Sequence, residues 1–60
     1  MDKRLLKEKA VRVASAFFTE RGIRSVKMDD IAMELSISKR TLYELFSDKE
    51  ELLLEVVKSH

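Results

Sequence analysis

Residues 28–46 read MDDIAMELSISKRTLYELF, and the spacing of apolar residues in this stretch decides the fold. Met28, Ile31, Ala32 and Leu35 recur at helical steps, which places them on one face of a short helix. Asp29 and Asp30 stand in its first turn, where the positive end of the helix dipole favours acids. Ser36 and Ile37 break the rhythm. Ser38 then supplies an N-cap for another short helix, with Leu42, Leu45 and Phe46 pointing inward and Lys39, Arg40, Tyr43 and Glu44 outward. The spacing predicts helices over about 28–35 and 39–46, joined by a break of about three residues.

Outward from this pair, the N-terminal side carries one longer helix, over about 3–21. Leu6, Ala10, Val13, Ala14 and Phe17 share a face, which Phe18 widens. Gly22 supplies the left-handed residue that commonly ends a helix, with Arg21 in the favourable last turn. Ile23 to Val26 is a short connection. The start of the next helix is open between Lys27, where Ser or Thr is the usual cap, and Ser25. On the C-terminal side, Asp48 with Glu51 forms a capping box for a fourth helix carrying Leu52, Leu53, Val56 and Val57. That helix is still running near the last residue, which points to a domain cut from a longer polypeptide. The fold class is all-α: a three-helix head over 1–47, then the start of a fourth, connecting helix over 48–60.

Composition agrees with this reading and removes several classes of function. The chain has 60 residues, no proline and a single glycine, with 45% hydrophobic and 38% charged residues, a mixture that suits helices. Disorder is excluded by the apolar share and a net charge of only +1. With no cysteine, and with His60 the lone histidine, neither a disulfide nor a zinc site can staple the small core. No apolar run is long enough to cross a membrane and no signal peptide is recognisable, so a soluble, cytoplasmic protein is expected. No nucleophile–base pair, metal-ligand cluster or glycine-rich phosphate loop is present, so neither an enzyme nor a bound cofactor is expected. Charge is unevenly spread: Lys3, Arg4, Lys7, Lys9 and Arg12 outnumber Asp2 and Glu8, while the remainder is slightly negative.

Two short helices across a tight break, with apolar residues on both sides, form a helix-turn-helix pattern, in which the second helix enters the DNA major groove. Arg40 can present its guanidinium fork to guanine, and Lys39 can reach guanine or phosphate. Thr41 offers a hydroxyl and a methyl group, and the Tyr43 phenol can reach a phosphate oxygen. Lys49 and Lys27, at the starts of their helices, can grip the backbone together with free amides. Other uses of the same residues remain open on these grounds. Lys39 and Arg40 also suit a solvated face, Tyr43 a half-buried core edge, and Lys49 a solvated neighbour of Glu50 and Glu51. The basic N-terminal segment suits either a solvated helix start or a strand of phosphates. The alternative to a DNA reader is a small helical protein–protein interaction module, docking through apolar residues such as Leu53, Val56 and Val57.

Four segments in order carry a resemblance: Phe17 to Gly22 (FFTERG), Met28 to Ala32 (MDDIA), Ser38 to Phe46 (SKRTLYELF) and Lys49 to Leu52 (KEEL). Together they resemble the N-terminal DNA-binding domain of the TetR family of transcriptional regulators, over nearly the whole chain from Ala10 to Val57. The resemblance implies a homeodomain-like DNA-binding head and a fourth helix leading to a C-terminal effector and dimerisation domain absent from these residues. It also implies a repressor that binds a palindromic double-stranded operator as a homodimer, with a small-molecule effector for the full-length protein. The positions matching the family's DNA contacts are Lys27, Asp29, Lys39, Arg40, Thr41, Tyr43 and Lys49. Glu44 joins them as an acid able to accept from a cytosine amine. Ser36 stands where the family usually has a turn glycine, Arg40 where it often has a small residue, Leu45 for a frequent aromatic and Lys27 for a Ser or Thr cap.

Overall fold

Helix α1 spans Lys3–Arg21 in a computed structural model that describes residues 2–59. His60, set aside above as a solitary zinc ligand, lies outside the described residues. After α1 come a 3-10 turn (Ile23–Ser25), α2 (Met28–Glu34), α3 (Lys39–Leu45) and α4 (Lys49–Lys58), with no strand among the described residues. The fold is all-α. Asp2 opens α1, its Oδ1 accepting from the Arg4 amide at 2.9 Å. The buried line of α1 is Leu6, Ala10, Ala14 and Phe18, and both alanines are fully buried. Small side chains there let neighbouring helices approach closely. Phe18 thus belongs to the buried line itself, not to its margin as the spacing suggested. Phe17 is a half-buried rim residue, with the Arg21 guanidinium 4.6 Å from its ring centroid.

Gly22 ends α1 as expected, but in a different conformation. Its φ of 85° is positive while its ψ of 150° is extended, so it lies outside the left-handed helical region, in backbone space open essentially to glycine alone. Its amide still donates to the Phe18 carbonyl at 3.0 Å. The connection that follows is a 3-10 turn whose exit residue, Val26, is almost fully buried. Periodicity could not assign it to the core, because it belongs to no helix. Lys27 is the N-cap of α2. A lysine side chain has no acceptor, so only half of a capping box forms: the Lys27 amide donates to Asp30 Oδ2 at 3.1 Å.

The break between α2 and α3 is a Schellman motif. Ser36 N–H donates to the Met33 carbonyl at 3.1 Å and Ile37 N–H to the Ala32 carbonyl at 3.0 Å. The motif requires a left-handed residue at its turning point, and Ser36 takes that role with φ of 58°. Leu35 caps α2, so that helix stops one residue before its expected end. Helix α3 also ends one residue early, because Phe46 is extended (φ −138°, ψ 127°) while its ring is fully buried.

Helix α1 packs against α4 and α2, and α2 against α3. Phe46, Ile31, Leu42, Leu52 and Val26 are the largest fully buried side chains, each contributing about 1.5–3 kcal/mol through burial. Met28 belongs to this core, whereas Met33 is exposed. On α4, Leu52 and Val56 are buried and Leu53 packs partly against the core, but Leu54 and Val57 face outward. No polar or charged residue is buried among the described residues.

Backbone strain at the two positive-φ positions gives predictions of opposite sign. Gly22→Ala places a Cβ in open space, so its cost is conformational alone and should be about 1–3 kcal/mol. Ser36→Gly relieves a left-handed residue and should raise stability by about 0.5–1 kcal/mol. Urea denaturation of the two variants checks both; equal and like-signed effects would contradict this account of the turns.

Candidate nucleic-acid interface

The N-terminal end of α3 is built by Ser38. Extended there (φ −73°, ψ 155°), it turns its hydroxyl back onto the helix. Ser38 Oγ accepts from the Thr41 amide at 3.1 Å and shares a 2.9 Å hydrogen bond with Thr41 Oγ1. The cap holds the first turn of a helix too short to persist alone in water. It also engages the Thr41 hydroxyl, one of the two groups that this side chain offers to DNA. Thr41 is half-buried, so its methyl and hydroxyl lie at the edge of any contact surface.

Lys39 and Arg40 follow the cap at the surface. Lys39 Nζ lies 3.0 Å from Asp29 Oδ1, across the turn from the first turn of α2. The hydrogen bond and charge of Asp29 raise the Lys39 pKa above its ordinary value, assisted weakly by Tyr43. A raised lysine pKa is lost only as pH climbs into the strongly alkaline range, so Lys39 is a fixed cation near neutrality. The Arg40 side chain is 91% exposed and pairs within its own helix, its Nε 3.6 Å from Glu44 Oε1. Tyr43 is 45% exposed, which suits a contact residue and a half-buried core edge alike. Lys27, exposed at the cap of α2, and Lys49, half-buried in the first turn of α4, take part in neither ion pair.

The eight candidate residues thus include two couples, Asp29 with Lys39 and Arg40 with Glu44. The sequence reading named all four without pairing them. The spacing of Arg40 and Glu44 is the ordinary helical one and could have signalled that couple. Nothing in the sequence signals the Asp29–Lys39 couple, because it depends on how two helices cross. A second unforeseen contact involves the basic N-terminal segment: Lys7 is half-buried, its Nζ 5.5 Å from the Phe46 ring centroid. That lysine is therefore part of the packing between α1 and the end of α3, not a freely solvated charge.

The start of α4 departs from a simple capping box. Asp48 Oδ1 accepts from the Glu51 amide at 2.9 Å, as expected, but Glu51 Oε2 accepts from the Ser47 amide at 2.7 Å, one residue upstream of the cap. The fully extended Asp48 (φ −159°, ψ −180°) turns the Ser47 N–H toward the helix, and the glutamate meets that donor. Among the described residues, no cluster of His, Cys, Asp and Glu could hold a metal ion, and no helix is long and apolar enough to cross a membrane.

The model of the family described as bacterial regulatory proteins, tetR family, matches residues 10–56. The HTH-type transcriptional activator FasR of Mycolicibacterium smegmatis is 45% identical over 47 residues, covering 78% of this chain and 22% of that protein. An HTH-type transcriptional regulator of Staphylococcus aureus is 35% identical over 51 residues, covering 85% of this chain and 28% of its own length. The chain thus spans about a quarter of the curated relatives it matches. No solved structure gives a significant match.

The junction of α3 and α4 carries a pH prediction. Hydrogen bonding from Ser47, with a smaller contribution from the charge of Lys7, holds the Glu51 carboxyl below the ordinary glutamate range. A depressed carboxyl stabilises the fold above its unfolded pKa, and that contribution is lost as pH falls through the folded value. The chain should lose stability through this acid window, and Glu51→Gln should flatten the same part of the curve. Thermal melts across that pH range check it; parallel curves for the two proteins would remove Glu51 from the account.

Proposed function

Because this chain belongs to the tetR family of bacterial regulatory proteins, we propose that it is the sequence-specific DNA-binding head of a cytoplasmic transcriptional regulator. The observation that carries the reading is the first turn of α3, which presents exposed Lys39 and Arg40 beyond a Ser38-capped start while Leu42 and Phe46 anchor the helix beneath. In this reading α3 lies in the major groove of double-stranded DNA. Lys39, Arg40 and Glu44 read base edges, while Lys27, Thr41, Tyr43 and Lys49 position the phosphate backbone. Asp29 sits at the same surface. The half-engaged Thr41 hydroxyl gives that residue the smallest share.

The family resemblance extends the proposal beyond this chain. Residues 1–47 act as the head and 48–60 lead into a C-terminal domain that dimerises and binds a small-molecule effector. The homodimer sets two copies of α3 in successive major grooves of a palindromic operator, and the effector changes their spacing. The resemblance implies repression as the mode of action, although the relative FasR is named an activator. A single head lacks the gain from two linked half-sites and binds weakly. Exposed Leu54 and Val57 on α4 favour a second use, as a protein-docking surface, which can coexist with DNA binding.

An amide NMR titration with a short mixed-sequence duplex tests the reading. Shifts should cluster at Lys27, at 39–43 and at Lys49, and fade as salt rises. Arg40→Ala should weaken binding to a preferred sequence by about 1–3 kcal/mol and relax base preference, whereas Lys49→Gln should weaken binding evenly across sequences. Unchanged spectra from the folded chain at low salt would replace DNA reading with the interaction-module alternative.

A further inference from the structure

The Asp29–Lys39 couple has no evident purpose in stability. Both side chains are more than half exposed, at 54% and 60%, and exposed pairs of this kind contribute little to folding. Its setting makes it costly for DNA binding, because Asp29 brings a carboxylate to the surface that phosphates would approach. The pair also spans two helices, so it fixes the Lys39 head group relative to α2 as well as α3.

We propose that Asp29 is a specificity-determining residue, which withholds Lys39 from the phosphates of arbitrary DNA and aims it at a base edge. The inference rests on the DNA-binding reading above. Lysine carries three donors, so Lys39 can keep one on Asp29 while offering another to a purine acceptor. Against a phosphate, the couple as a whole presents no net charge. Lys39 then adds nothing to counterion release, which otherwise lowers the salt slope by about 0.9 per phosphate neutralised. Specificity is a difference between affinities, and lowering the non-specific member raises it as surely as improving the specific one. The Arg40–Glu44 couple balances charge in the same way, but within one helix it cannot fix α3 against α2.

The test is a cycle of four proteins: the unaltered chain, Asp29→Asn, Lys39→Gln and the double variant. Each is titrated over a range of KCl with a mixed-sequence duplex and with a duplex enriched by the unaltered chain from a randomised library. Asp29→Asn should bind the mixed duplex several-fold more tightly, steepen its salt slope by about 0.9, and reduce the preference for the enriched duplex several-fold. In the Lys39→Gln background the same substitution should leave the slope unchanged. Equal effects of Asp29→Asn in both backgrounds would reduce Asp29 to a general repulsive charge and overturn the proposal, as would no effect in either. Failure of all four folded proteins to bind any duplex at low salt would instead remove the DNA-binding reading, and this inference with it. Amide dispersion confirms folding in each case.

Discussion

Phe46 is fully buried although its backbone has already left the helix, and the arrangement of the other elements depends on where its ring sits. Its amide closes α3 by donating to the Leu42 carbonyl at 3.0 Å, while its extended backbone redirects the chain toward the Asp48 cap of α4. Lys7 reaches the same ring from α1. One side chain thus ties together the end of α3, the approach to α4 and the long first helix. A domain of this length buries a smaller share of its surface on folding than a larger domain does, and has few such anchors to lose. With no disulfide available, the positions of all four helices rest on apolar contacts of this kind.

What was legible in the sequence, and what was not, divides along the range of the interactions. Helix α1 followed from the recurrence of Leu6, Ala10 and Ala14, and the cap of α3 followed from Ser38, because both depend on residues within a turn of one another. The family resemblance marked Ser36 as a departure from a usual turn glycine, and its φ is positive. The place of Phe18 in the buried line of α1 was only partly readable, since a helical wheel defines a face but not what packs upon it. Val26, the Lys7–Phe46 contact and the Asp29–Lys39 couple were not readable. Each depends on how separate elements pack and needs the fold in place before it exists. Glu51 is an intermediate case: the acid at that spacing was recognised, but its amide partner depended on the extended backbone of Asp48.

The candidate interface shows the same division as a separation of tasks within α3. Its seven residues are too few for a stable isolated helix, so it owes its existence to the Ser38 cap and to Leu42, together with Phe46 just beyond its end. The outward residues Lys39, Arg40, Tyr43 and Glu44 carry almost none of that burden. Their charges can change with little consequence for folding, while a change at Leu42 or Phe46 would remove the surface on which they stand.

On the proposed DNA-binding reading, this separation gives the acids at the candidate interface a physical rationale. A recognition helix with bare cations gains affinity for every stretch of DNA at once, because phosphates are the same everywhere. An acid placed beside each cation lowers that common attraction. Within α3, Glu44 can balance Arg40 because helical spacing brings them together. Lys39 is the first residue of the helix, so an acid facing it must come from elsewhere, and the tight Schellman turn brings α2 close enough for Asp29 to do so. The strain accepted at Ser36 and the charge balance at Lys39 are therefore linked through one feature: the short turn that sets α2 against α3.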